Sequence, residues 1–136
     1  MTIDWSRMIT AEDKAEQLNE QRRAGILTER ARRLAEGFDY DFGDERGVHR
    51  IGTTEDDKKG WDEVNQWAAA MTGLGDTEST LLISTDTGPA YVTAPEWHAI
   101  VAHGATVQQP IWQASFILQA METIPEDYAD DHYWLK

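Results

Sequence analysis

The sequence predicts an α+β fold, in which a small antiparallel sheet of two β-hairpins packs against two or three helices, with a long N-terminal helix. Two pairs of short apolar segments, each pair joined by a Gly-containing turn, indicate the hairpins. Three threonines, each followed by an acid at the third position and then by apolar residues at helical spacing, indicate where helices begin. The chain has 136 residues, of which 40 % are apolar, and this suits one domain with its own core.

Four segments are predicted along the chain. An extended N-terminal attachment segment comes first, followed by the N-terminal helix, a compact α+β domain and an acidic tail that is rich in aromatic residues. Their bounds are 1–9, 10–36, 37–121 and 122–136.

The first helix is predicted to begin after Thr10, whose hydroxyl can accept from the Asp13 amide in a capping box. It runs to about Glu36, because Gly37 is a natural left-handed stop. Its apolar face is thin and is broken at Arg22.

The first hairpin is predicted from the alternation of Phe38, Tyr40 and Phe42 with polar residues. "GDERG" is a turn, and "VHRIG" returns as the second strand. Because a lone hairpin is marginal in water, we expect its aromatic face to lie on a helix.

The three acids Glu55, Asp56 and Asp57 follow this hairpin and admit two interpretations. In the first, Thr54 and Asp57 cap a helix, and the acids meet the positive end of its dipole. In the second, the acids bind a hard cation. Consecutive acids splay around a helix axis instead of converging, so the sequence favours the cap. Apolar residues at helical spacing follow at Trp61, Val64, Trp67, Ala68 and Met71.

The second hairpin is predicted from "TLLIST" and "AYVT", joined by "DTGP". Asp86 lies in an Asp-Thr-Gly sequence that aspartic proteases also carry, but such a protease needs two of these loops to share a proton between carboxylates. We therefore interpret the sequence as an ordinary turn. A third helix begins in "TAPEW", with Thr93 and Glu96 as its capping box. Pro110 is expected to kink or split this helix.

Charge is distributed unevenly along the chain. The net charge is −13, and no Lys or Arg occurs between Lys59 and Lys136. This balance does not favour nucleic acid as a partner. The run that contains Arg22, Arg23 and Arg30 is interleaved with glutamates, so it is either a solvated helix face or a contact with an acidic protein partner.

No motif in the chain predicts catalysis. His98 and His103 are five residues apart and fail the zinc-binding spacing, while His49 is predicted in a strand and His132 in the tail, each without a neighbouring set of ligands. The chain has no Cys, so thiolate sites and disulfides are excluded. We predict no enzyme activity, no catalytic residue, no cofactor and no metal. The N-terminus lacks the pattern of a signal peptide and no apolar run is long enough to span a membrane, which suggests a soluble protein made inside the cell.

Both ends of the chain carry candidates for protein contacts. Tyr and Trp are enriched at interface hot spots. The tail aromatics either fold back on their own domain or dock on another subunit or protein, and the N-terminal segment is weighed in the same way. The residues predicted at an interface are Trp5, Met8, Ile9, Arg22, Arg23, Arg30, Tyr128, Tyr133, Trp134 and Leu135.

Three stretches, "RARRLAEGFDYDFGDERGVHRIGTTEDDKKGWDEVNQWA", "ISTDTGPAYVTAPEWHAIVAH" and "ASFILQAM", together resemble a family of domains of unknown function. That family occurs in bacteriophage tail and tail-fibre-associated proteins. The resemblance covers about residues 20–121 and departs from the family pattern at Pro110 and in the tail after Met121.

The resemblance implies a non-enzymatic structural protein of the virion, namely a minor tail protein of the tail tip or tail fibre that acts as an adaptor in host recognition. An assembly chaperone absent from the mature particle is the alternative, and a tail-associated cell-wall hydrolase is a more distant one. Its partners would be other phage tail proteins and, by analogy, further copies in a trimer. It would be made in the host cytoplasm and end in the virion, without binding nucleic acid or inserting into a membrane.

Overall fold

The structure is a computed structural model and describes residues 10–135. Within this range the fold is α+β, as predicted, with a long first helix packed on the other helices. The helices are α1 (Ala11–Leu34), α2 (Glu55–Gly73), α3 (Ala94–Gln119) and the short α4 (Asp131–Trp134). The strands are β1 (Phe38–Asp41), β2 (Val48–Ile51), β3 (Thr80–Thr85) and β4 (Gly88–Thr93).

The three predicted capping boxes are confirmed at the starts of α1, α2 and α3. In each box the Thr hydroxyl accepts from the amide of the third helical residue, whose carboxylate accepts from the Thr amide. The pairs are Thr10 with Asp13, Thr54 with Asp57, and Thr93 with Glu96. The acids at the start of α2 therefore belong to a helix cap, as the sequence favours.

The end of α1 also follows the prediction closely. The helix stops at Leu34, two residues before the expected Glu36, and Gly37 has a φ of 78°. A side chain on Gly37 would bring its Cβ to 2.5 Å from the Ile51 carbonyl oxygen. Glycine is therefore required both for the backbone conformation and for the close approach of β2.

The two hairpins form separate two-stranded antiparallel sheets. In the first, Phe38 lies opposite Ile51, and in the second, Thr85 lies opposite Gly88. The hairpins meet where the Asp86 amide donates to the Arg50 carbonyl oxygen at 2.9 Å. This contact joins the turn of the second hairpin to the end of the first.

The larger core, here called the hairpin core, lies between the two hairpins, α2 and α3. Trp61 meets Trp97 edge to face at 5.3 Å between ring centroids, and Phe38 meets Trp61 at 6.3 Å. Gly104 lets the Phe38 ring approach α3, because an added Cβ would lie 2.7 Å from that ring. The fully enclosed members are Phe38, Ile51, Ala68, Ile83, Ala90, Val92, Ala94, Trp97 and Ile100.

The smaller core, here called the helix core, joins α1, the C-terminal half of α3 and the tail. Its buried members are Ile26, Ala114, Leu118, Ile124 and Trp134. Since Ile124 and Trp134 belong to the tail, the tail is part of the folded body.

Pro110 was expected to kink or split α3; the helix is continuous through Pro110, so the split is wrong. Proline cannot donate to the carbonyl one turn earlier and disfavours a helix interior. Here both halves of α3 are held by burial, through Ile100 in the hairpin core and Leu118 in the helix core. In the second half of this helix Ser115 is buried, and Ile117 is 59 % exposed.

Arg46 in the first hairpin ties together both hairpins and the start of α3. Its guanidinium donates to the Tyr91 carbonyl oxygen at 2.8 Å and to Asp44 at 2.6 Å, and it also pairs with Glu96. It lies 4.2 Å from the centroid of the Phe42 ring. Hydrogen bonds from Arg46 are the main reason that the pKa of Asp44 falls to about 2 and that the pKa of Glu96 is lowered.

We expect the stability conferred by Arg46 to depend on pH. In the unfolded chain both carboxyl groups have pKa values of about 4, and the folded values are lower. The stabilisation is therefore fully present above about pH 5 and is lost as the pH falls toward about 2. The urea midpoint of Arg46→Met should lie below that of the wild type at about pH 6, and the gap should narrow at about pH 2.5. A gap that stays constant over this range would contradict the prediction, and Lys59→Met, which alters an exposed ion pair, serves as control.

Candidate protein-interaction surfaces

The structure separates the interface residues predicted from the sequence into three groups. Trp5, Met8 and Ile9 lie outside the described residues. Most of the tail residues pack on their own chain, and the arginines lie on the side of α1 that faces α3 and the tail.

The tail folds back on α1 and α3, which is one of the two alternatives left open by the sequence. Trp134 is 1 % exposed, and its ring nitrogen donates to the Tyr128 carbonyl oxygen at 2.7 Å. Tyr128 is half-buried against Gly25, and Tyr133 donates to Asp127 at 2.9 Å. Leu135 is the exception, since it is 65 % exposed. Trp134 in this position is enclosed by its own chain and does not present a surface to a partner.

Arg33 is the residue that anchors the tail, and sequence reasoning did not single it out for this role. Its side chain is buried, and its guanidinium carbon lies 5.2 Å from the Trp134 ring centroid. It donates to Glu29 at 2.8 Å, to Asp131 at 2.7 Å and to the Ala129 carbonyl oxygen at 3.0 Å. A buried arginine needs partners of this kind to offset the loss of hydration.

Arg22 and Arg23 bind main-chain carbonyl groups near the end of α3. Arg22 donates to the Ile124 carbonyl oxygen at 2.6 Å, and Arg23 donates to the Gln119 carbonyl oxygen at 3.4 Å. Cations in this position also meet the negative end of the α3 dipole. The ion pairs on a solvated helix face, which were one interpretation of the arginine run, are found at Arg32, which pairs with Glu29 and Glu36.

Arg30 forms a partly exposed cluster with two aromatic residues of α3. It donates to the Ser115 hydroxyl at 3.0 Å, and its guanidinium carbon lies 4.5 Å from the Trp112 ring centroid and 6.0 Å from that of Phe116. Trp112 is half-buried, and Phe116 is 58 % exposed. The guanidinium is thus attracted to the ring faces of one half-buried and one exposed aromatic residue.

Two further residues of α1 extend this cluster along one side of the helix. Leu27 lies one helical turn before Arg30 and is 43 % exposed, and Arg23 lies one turn before Leu27. Among the described residues, no carboxylate forms an ion pair with Arg23 or Arg30. We name the set formed by Arg23, Leu27, Arg30, Trp112 and Phe116 the arginine–aromatic surface. Its chemistry suits a partner that offers both carboxylates and an apolar side chain.

The histidines are not brought together, but two acids close to His132 in the sequence converge on it, which was not predicted. One oxygen each of Asp127 and Asp130 and one ring nitrogen of His132 lie within 4.8 Å of one another. The short turn before α4 produces this geometry, in which Asp130 caps the helix and accepts from His132. These hydrogen bonds lower the pKa of Asp130. Since Asp127 already accepts from Tyr133, the cluster is explained by contacts within the tail.

A pocket of about 350 Å³ lies between the first half of α2 and β3, and we name it the α2–β3 groove. Trp61 and Trp97 contribute apolar surface to it, and Asp56, Asp57 and Asp86 contribute carboxylates. Asp86 lies in the turn of the second hairpin, as the sequence predicts. The other lining residues are Ile51, Gly52, Gly60, Val64, Leu82, Ile83, Ser84 and Thr85.

Comparison of the chain with protein-family models, with curated proteins and with solved structures finds no match. Within residues 10–135, no helix combines the length and apolar character needed to cross a bilayer. The fold is therefore described from the structure alone, and the resemblance to the phage tail family stays a prediction. Function has to be argued from the chemistry of the exposed surfaces.

Proposed function

We propose that this chain is a non-enzymatic adaptor that binds other proteins, and that it serves as a minor protein of a bacteriophage tail tip or tail fibre. The arginine–aromatic surface supports the first part of this proposal. The sequence resemblance supports the second part. The partners would then be other tail proteins, with a trimer of the chain as the favoured oligomer.

The observation that carries the adaptor function is the exposure of large apolar side chains beside Arg23 and Arg30, which form no ion pair with a carboxylate among residues 10–135. Phe116 and Leu27 are 58 % and 43 % exposed. Aromatic residues and arginine are enriched at the centres of protein interfaces. A cation–π contact such as that of Arg30 with Trp112 is worth about 0.5–1 kcal/mol when exposed and more once water is removed. A docked partner would therefore strengthen a contact that already exists.

Mass spectrometry of purified particles and of the infected-cell lysate tests the phage assignment. The full chain is produced with an affinity tag during infection. Presence in the particle beside tail proteins supports the adaptor. Presence in the lysate with a fibre protein, but absence from the particle, identifies the assembly chaperone instead.

Sedimentation equilibrium of the pure chain tests the trimer.

Phe116→Ser is expected to lower incorporation into the particle by about tenfold or more, because loss of a hot-spot aromatic costs about 2 kcal/mol or more. Its stability should hardly change, since the ring is largely exposed. Ile117→Ser is the matched control, because Ile117 is 59 % exposed but points away from the arginine–aromatic surface. Equal copy numbers of the two variants per particle would exclude this surface as the contact.

A further inference from the structure

The outer edge of β3 offers main-chain groups that β4 does not use. The turn between the strands has two residues, and Thr85 and Gly88 close the ladder as a hydrogen-bonded pair. Because hydrogen-bonded pairs alternate along an antiparallel ladder, Leu82 and Ser84 direct their amide and carbonyl groups away from β4. Pro89, which has no amide hydrogen, lies opposite Ser84. This agrees with the alternation, because a residue at this position of β4 does not donate to β3.

One group on this edge already makes a strand-like bond. The Asp86 amide donates to the Arg50 carbonyl oxygen at 2.9 Å, and β2 ends one residue later, at Ile51. Among residues 10–135, the outward amide and carbonyl groups of Leu82 and Ser84 have no hydrogen-bond partner. The edge is thus paired at one end and open along the rest of its length.

The α2–β3 groove runs beside this open edge. It measures about 350 Å³, and Trp61 and Trp97 supply apolar surface within it. Gly60 lies on the helix side of the groove, and apart from its chain neighbours and the backbone of its own helix no atom comes within 4 Å of the position where its Cβ would stand. A neighbouring strand needs a separation of about 4.8 Å from β3. The open space at Gly60 suits the backbone of such a strand.

The charge of the groove has one sign. Asp56, Asp57 and Asp86 line it, and no Lys or Arg does. Two of these carboxylates converge over Gly52, since an added Cβ there would lie 2.3 Å from Asp57 Oδ2 and 3.0 Å from Asp86 Oδ1. A Lys or Arg side chain would form charge-assisted hydrogen bonds at this point.

We infer that the α2–β3 groove binds an extended basic segment of a partner protein, which adds to β3 as a third strand. The main-chain groups of Leu82 and Ser84 supply the pairing, as in other cases of strand addition. A Lys or Arg of the partner lies against Asp57 and Asp86, and an apolar side chain of the segment lies on Trp61. This function is separate from that of the arginine–aromatic surface and does not depend on the phage assignment.

Fluorescence polarisation with two short peptides tests the inference on the full chain. Both peptides alternate threonine and valine, and they differ only in a central Arg or Glu. The Arg peptide is expected to bind with a dissociation constant below about 1 mM and at least about tenfold more tightly than the Glu peptide. In NMR spectra of the labelled protein, the amide signals of Leu82, Ser84 and Gly60 should shift on binding.

Ser84→Pro separates strand addition from simple charge attraction. It removes the outward amide without removing a bond of the β3–β4 ladder, so binding should weaken at least about tenfold while the fold persists. Ser84→Ala keeps the amide and should bind within about twofold of the wild type. An Arg peptide methylated on the amides that face β3 makes the same test on the unaltered protein, should Ser84→Pro fail to fold.

Several results would overturn the inference. One is the absence of Arg-peptide binding at millimolar concentration, and another is binding that neither Ser84→Pro nor amide methylation weakens. Equal affinity for the Arg and Glu peptides would show that the groove does not select a basic segment. Self-association of the wild type that Ser84→Pro abolishes would assign the edge to a second copy of the chain and not to a partner.

Discussion

Replacement of Trp97 by Ala is expected to lower the free energy of unfolding by about 3–5 kcal/mol, the usual cost of deleting a large buried aromatic side chain. Trp97 is 2 % exposed and packs edge to face on Trp61. Its ring nitrogen donates to Asn65 Oδ1 at 2.7 Å. The substitution would leave a cavity where both hairpins, α2 and α3 meet, and would also remove a hydrogen bond between α2 and α3.

Urea unfolding followed by circular dichroism measures this effect. Asn65→Ala removes the hydrogen bond alone and should cost about 1 kcal/mol. Leu74→Ala is the control, because Leu74 is 77 % exposed and its loss should change stability by no more than about 0.5 kcal/mol. A cost below about 1 kcal/mol for Trp97→Ala would mean that the hairpin core is not packed around this residue.

The parts of the fold that the sequence predicts well are those set by neighbouring residues. Thr54 and Asp57 form a capping box within one turn, so their pattern is read without knowledge of the rest of the chain. Phe38 and Tyr40 alternate with polar residues for a reason that is equally local, namely the two-residue repeat of a strand.

Pro110 shows where local reasoning gives the wrong result. Proline disfavours a helix interior by about 3 kcal/mol, which is a correct local statement. The continuity of α3 depends on burial at Ile100 and Leu118, and these residues contact elements distant in the sequence. Tertiary packing therefore outweighs the local preference, and no window around Pro110 contains that information.

The candidate surfaces were predicted only in part for the same reason. Arg30 was predicted at an interface, but its partners Trp112 and Phe116 come from a helix more than eighty residues away, at separations that a single sequence does not reveal. The α2–β3 groove exists because the second hairpin meets the first at Asp86 and leaves space beside α2. The acids that line it were interpreted from the sequence as a helix cap and a turn, and both interpretations are confirmed as local structure.

Trp134→Ala is expected to cost about 3–5 kcal/mol, as large an effect as that of Trp97. Trp134 is 1 % exposed in the helix core, and the guanidinium of Arg33 lies over its ring. Loss of the ring would expose Arg33 and its ion pairs to water. It would also remove the packing that holds α4, in which Asp131 is the first residue. A truncation after residue 124 should destabilise the protein for the same reason.

Three further variants distinguish a docked tail from a general sensitivity of the C-terminus. Leu135→Ala alters the next residue, which is 65 % exposed, and should change the urea midpoint very little.

Gly25→Ala would place a Cβ 1.9 Å from the Tyr128 hydroxyl oxygen, so it should destabilise the protein. Elsewhere inside a helix, Gly→Ala usually raises the free energy of unfolding by up to about 1 kcal/mol. Gly60→Ala in α2 has open space and should show the usual gain. If Trp134→Ala costs less than about 1 kcal/mol and Gly25→Ala stabilises, the tail is undocked in solution, and Tyr133 and Trp134 become available to a partner.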